Sequence, residues 1–136
     1  MSAEITVLAL AGLLQGAQFA LVSIPANLEL GPAKLASPRD PARLGTAIEA
    51  QVSPITGRLF RALNNHFEGL ILFTLAVVVV TLADTSTLLT QVCAWAYLAA
   101  RVAYIPAYAF GWSPWRSAIW FVSFTATMIM LVASLF

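Results

Sequence analysis

The sequence predicts an all-α integral membrane protein, a bundle of four spanning helices, and three observations carry that expectation. Of 136 residues, 60% are hydrophobic and only 10% charged, and the mean hydropathy is +0.86, far from the balance of a soluble domain of this length. Four apolar segments, roughly residues 5–26, 58–82, 87–110 and 115–136, each approach the ~20 residues needed to cross a bilayer core. Finally, all seven basic residues fall in or beside the connections between helices 1 and 2 and between helices 3 and 4.

That last distribution predicts an orientation. Lys34, Arg39, Arg43, Arg58, Arg61, Arg101 and Arg116 place loops 27–57 and 111–114 in the cytoplasm by the positive-inside rule, and both termini outside. The net charge of +1 is then a split, about +3 inside against −2 outside. No basic tract suggests nucleic acid. One Cys, Cys93, and one His, His66, exclude an intrachain disulfide and leave too few soft ligands for a Zn or haem site.

Helix 1 follows an N-terminus, MSAEITVLAL, without the basic region of a signal peptide, and is expected to be retained. It carries Gln15 and Gln18, and Gly12 and Gly16 in a G-x-x-x-G spacing that would let another helix approach closely, within the chain or from a second subunit. Pro25 is expected to mark its end. Residues 27–57 hold four prolines, Pro32, Pro38, Pro41 and Pro54, so they are read as a loop with a short helix around 42–50. A connection of this length is often functional, and here it could cover a site.

Helix 2 contains RALNNHFEGLILFTLAVVVVTL, residues 61–82, which begins polar and ends as an apolar run. Positions 61, 65 and 68 are i, i+4 and i+7, so Arg61, Asn65 and Glu68 project from one face. Thr74 and Thr81 are compatible with hydrocarbon because their hydroxyls can bond back to a helix carbonyl. A tight turn at 83–86 follows, with Thr85 or Ser86 expected to cap helix 3. Helix 3 ends in RVAYIPAYAF, where Arg101, Tyr104 and Tyr108 form a second polar face and Pro106 should kink or end the helix. In GWSPWRS, Ser113 is the expected N-cap, Pro114 the first residue of helix 4, and Arg116 and Ser117 its first turn.

Ionisable groups inside hydrocarbon cost about 2.5–3.5 kcal/mol each on insertion scales, so they should face a partner or a polar cavity. Arg61 and Arg101 could instead snorkel to lipid phosphates, and Tyr104 and Tyr108 could serve as interfacial aromatics. Glu68 lies two turns deeper than Arg61 on a short side chain and needs a cation. His66, one residue off the Asn65 face, is read as structural, and Cys93 as an inert packing residue.

RALNNHFE in helix 2, RVAYIPAY in helix 3 and SPWRS at the start of helix 4 resemble the MAPEG family, the membrane-associated proteins in eicosanoid and glutathione metabolism. The likeness extends over nearly the whole chain, as one transmembrane domain of residues 1–136 similar to bacterial members, which implies a bacterial inner membrane. It implies a homotrimer with glutathione bound between neighbouring subunits at the cytoplasmic side. Arg61, Asn65 and Glu68 would hold the peptide's charged ends and amides, and Arg101, Tyr104 and Tyr108 would complete the pocket. Arg116, with Ser117, would stabilise the thiolate, since a nearby cation favours the anion of a thiol whose ordinary pKa is ~8.5. The implied activity is transfer of glutathione to lipophilic electrophiles or reduction of lipophilic hydroperoxides. The alternative is a non-catalytic membrane protein that uses the cluster as a clamp. The chain departs from the family pattern at Leu63, at Gly69, where a larger residue is common, and in SIPANLELG, which lacks a basic cluster.

Overall fold

A computed structural model describes residues 1–36, 38 and 46–136. Six helices form among them: α1 (Ala3–Leu30), α2 (Pro32–Ala36), α3 (Ile48–Gln51), α4 (Pro54–Leu82), α5 (Leu88–Ala109) and α6 (Trp115–Ala133). Four of these, α1, α4, α5 and α6, are long and apolar enough to span a bilayer. The protein is an integral, multi-pass membrane protein.

Several boundaries differ from the sequence reading, for local reasons. Helix α1 runs through Pro25 to Leu30 and stops at Gly31, whose φ of 89° leaves the helical region. A proline removes one backbone donor, which a spanning helix tolerates. Ser53 caps α4 by accepting from the Thr56 amide, so Pro54 is a helix-opening residue, where its fixed φ and missing N–H suit the first turn. The supposed loop 27–57 thus contributes ends to both α1 and α4, plus α2 and α3. The expected short helix at 42–50 is observed from Ile48, and residues 42–45 lie outside the described residues.

The cap of α5 is Thr87, not Thr85 or Ser86: its hydroxyl accepts from the Thr90 amide, and Thr90 Oγ1 accepts from the Thr87 amide. Pro106 lies inside α5, which continues to Ala109. At α6 Ser113 makes no cap and Pro114 takes the cap position. The Arg116 amide is bonded instead by the Trp112 carbonyl at 2.8 Å, so no side-chain cap is required there.

The core lies toward the termini: Val7 and Ala11 of α1 meet Phe73, Ala76, Val77 and Val80 of α4, Cys93, Ala94 and Tyr97 of α5, and Ala126 and Met130 of α6. Phe73 and Tyr97 stack with centroids 3.9 Å apart. Thr74 donates back to the Leu70 carbonyl at 2.6 Å, as expected for a hydroxyl in hydrocarbon. Large apolar residues such as Leu13, Ile71 and Phe121 stay exposed, which suits a lipid-facing surface. A Cβ added at Gly12 or Gly16 would meet nothing within 4 Å, so these glycines form no packing seam inside the subunit.

Polar clasps fix the two ends. Glu4, fully buried, accepts from the Ser86 hydroxyl at 2.8 Å and the Thr90 hydroxyl at 2.6 Å, tying the N-terminus to the α4–α5 turn. At the opposite end Glu29 accepts from the Ser53 amide and the Thr56 hydroxyl, both at 2.6 Å. The loop end, where the site lies, is therefore held by side chains as well as by packing.

Candidate functional site

The face expected on α4 exists. Arg61 and Glu68 are exposed and Asn65 half-buried along one side of the helix, and they line an open hollow of about 400 Å³. Tyr104 and Tyr108 of α5 and Arg116 and Ser117 of α6 complete its wall, together with Asn64 and Trp120. Seven of the eight predicted site residues thus meet in one place.

Tyr108 organises the two cations. Arg61 Nε donates to its hydroxyl at 3.2 Å, while the Arg116 guanidinium lies 4.9 Å from the ring centre, within range of a cation–π attraction. Tyr104 packs edge-on against Tyr108 with centroids 5.6 Å apart. Both tyrosines line the hollow. Glu68 has no side-chain partner among the described residues, so the carboxylate and the two guanidinium groups share the hollow without forming ion pairs across it.

Arg101 is the residue the hollow does not contain. It is 1% exposed and binds three helices together. Nη2 donates to Asn65 Oδ1 at 2.9 Å, Nε to His66 Nδ1 at 3.4 Å, and Nη1 to Ser123 Oγ at 3.4 Å, with the Tyr104 ring 4.8 Å from Cζ. His66, fully buried, must then carry its proton on Nε2, which lies 3.2 Å from the Ala11 carbonyl. The structural reading of His66 holds, and it supplies the link to α1. Because Arg101 occupies the amide oxygen of Asn65, the NH₂ of that side chain is left to address the hollow.

A second, smaller hollow of about 280 Å³ continues from the first, sharing Asn65, Glu68 and Trp120. It runs deeper between α4, α5 and α6, and Leu72, Phe124 and Thr127 make it more apolar. The sequence reading did not include Asn64, Trp120 or Ser123. Asn64 was legible at i+3 from Arg61, and Arg116, Trp120, Ser123 and Thr127 follow the i, i+4, i+7, i+11 rhythm of one face of α6. Among the described residues no three His, Cys, Asp or Glu side chains gather into a metal-binding group.

The MAPEG family model matches residues 7–136, essentially the whole chain. The chain belongs to the MAPEG family. No curated protein and no solved structure matches it significantly. The MAPEG match places the chain among membrane proteins of a glutathione and eicosanoid metabolism family, and the three motifs that carried the resemblance all contribute to the hollow or to the Arg101 network beneath it.

Proposed function

We propose that the protein is a glutathione-dependent membrane enzyme, a transferase or peroxidase acting on lipophilic electrophiles. One observation carries this reading: a hollow with two cations and one carboxylate that form no ion pair among the described residues, together with an amide donor, opens directly into a more apolar one. Glutathione has two carboxylates, an ammonium and two peptide groups, so a donor set of mixed sign suits it where a purely basic patch would not. When bound, it supplies the thiol that attacks the electrophile.

In this reading Glu68 takes the ammonium, and Arg61 and the Asn65 NH₂ take a carboxylate and a peptide carbonyl. Arg116, fixed over Tyr108, favours the anionic form of the thiol, and Ser117 beside it can donate a hydrogen bond to sulfur. Arg101 holds Asn65 from below and does not touch the peptide. The residues act by positioning and charge stabilisation, with no protein nucleophile.

The same proposal covers assembly and placement. The open hollow and the exposed Gly12–Gly16 face of α1 suit a homotrimer in which neighbours complete each site. In this reading the loop end is cytoplasmic and both termini lie outside, as the positive-inside rule favours for this distribution of basic residues, and the membrane is a bacterial inner membrane. A calorimetric titration of glutathione into the purified protein tests the central claim. Saturable binding that weakens in Glu68→Gln and Arg116→Ala supports it; absence of saturable binding to the wild type overturns it.

A second reading, a non-catalytic clamp, draws support from Arg101, whose bonds tie its own helix to α4 and α6. It predicts that Glu68→Gln lowers oligomer stability while no thiol raises it. Thermal unfolding with and without glutathione separates the two readings.

A further inference from the structure

The inner hollow has a polar corner whose chemistry is unspent. A Cβ built on Gly69 would stand 3.6 Å from the Tyr97 hydroxyl and 3.7 Å from Arg101 Cζ, so the absence of a side chain there keeps both groups open to the cavity. Tyr97 is 1% exposed, and its hydroxyl has no hydrogen-bond partner among the described residues. Buried hydroxyls ordinarily find one. Its ring is stacked against Phe73 with planes only 2° apart, so the hydroxyl is presented from a fixed position.

The corner offers donors. Arg101 can only donate, and the Ser123 hydroxyl spends its hydrogen on the Trp120 carbonyl at 2.8 Å. The Tyr97 O–H therefore faces a space where an oxygen acceptor fits. Glu68, at the junction with the outer hollow, offsets the charge of Arg101, so a neutral acceptor suits this corner better than an anionic head group. Leu72 and Phe124 supply apolar walls, and Phe124 also lines a lipid-facing hollow toward the termini, which connects the cavity wall to hydrocarbon.

We infer that the inner hollow seats a lipophilic carbonyl compound, with the Tyr97 hydroxyl donating a hydrogen bond to its carbonyl oxygen. The inference rests on the glutathione reading, for which it names the class of the second substrate. Gly69 then sets specificity, because any larger residue there would fill the space beside the hydroxyl.

Benzophenone is a suitable probe, since its reactive atom is the carbonyl oxygen and it labels the C–H bonds next to that atom. Photolabelling of the purified full-length protein, without thiol, should fall on residues 69–72 and 123–127. 2-Undecanone should compete, while undecane and undecanoate should not. Tyr97→Phe removes one oxygen and should weaken 2-undecanone competition about three- to tenfold, the value of one hydrogen bond, without lowering the thermal midpoint. Gly69→Leu should abolish labelling, and Tyr97→Phe keeps the test open if that variant does not fold. Equal competition by undecane, stronger competition by undecanoate, unchanged competition in Tyr97→Phe, or labelling elsewhere would overturn the inference. Because no thiol is present, these results stand apart from the glutathione titration, and either claim can fail alone.

Discussion

Glu4 and Glu68 are two carboxylates on spanning helices, and the structure treats them in opposite ways. Glu4, three residues from the N-terminus, is wholly buried and bonded to two hydroxyls. Glu68, in the middle of α4, is exposed to a hollow and bonded to nothing in its subunit among the described residues. Position along the chain suggests the reverse. A tied carboxylate closes one end of the bundle; an untied one with guanidinium groups nearby leaves the other end open. Arg101 and Arg116 repeat the contrast among the cations.

The contrast predicts that tied residues fail by unfolding and untied ones by losing ligand. The largest effect should come from Arg101→Ala, which removes three hydrogen bonds and leaves a void, together about 3–4 kcal/mol. A fall in thermal midpoint in detergent would show it, and a stable Arg101→Ala protein that merely loses glutathione would break the comparison. Glu4→Ala should cost about 2 kcal/mol, because the Ser86 and Thr90 hydroxyls lose a shared charged acceptor. Its glutathione affinity, measured below its unfolding range, should be unchanged.

For Glu68→Gln the order inverts: glutathione affinity should drop about tenfold, equivalent to ~1.4 kcal/mol, with the thermal midpoint of the unliganded protein unmoved. A midpoint that drops would instead favour the clamp. The smallest effect should be at Ser117→Ala, about threefold in thiol reactivity at fixed pH with no change in affinity, if its hydroxyl contributes one hydrogen bond to sulfur. Reactivity can be read from the rate of reaction with a soluble electrophile.

Much of the fold was legible because hydrocarbon imposes length and composition on spanning helices, and all four spans follow from those alone. Two helix boundaries were misplaced at prolines. Pro25 was read as a terminator though a spanning helix absorbs it, and Pro54 as loop though Ser53 before it makes it a start. In the site, the spacing of 61, 65 and 68 was enough to find the face of α4. It could not show that Arg101 points inward, since that depends on Asn65, His66 and Ser123 lying 22 to 36 residues away in sequence. The Glu4 clasp spans 82 and 86 residues and leaves no periodic trace.

The 29-residue length of α4 also fixes a depth scale. At 1.5 Å per residue it is about 43 Å long, against a hydrocarbon thickness of ~30 Å. With Leu82 at one boundary and the helix along the membrane normal, roughly 13 Å of α4 would stand clear of the other, which would put Arg61 among lipid head groups and Glu68 about 8 Å beneath them. A water-soluble reactant would then descend along the membrane normal, while a lipid-dissolved one would arrive sideways within the leaflet. Two perpendicular approaches would let both reactants enter without either displacing the other.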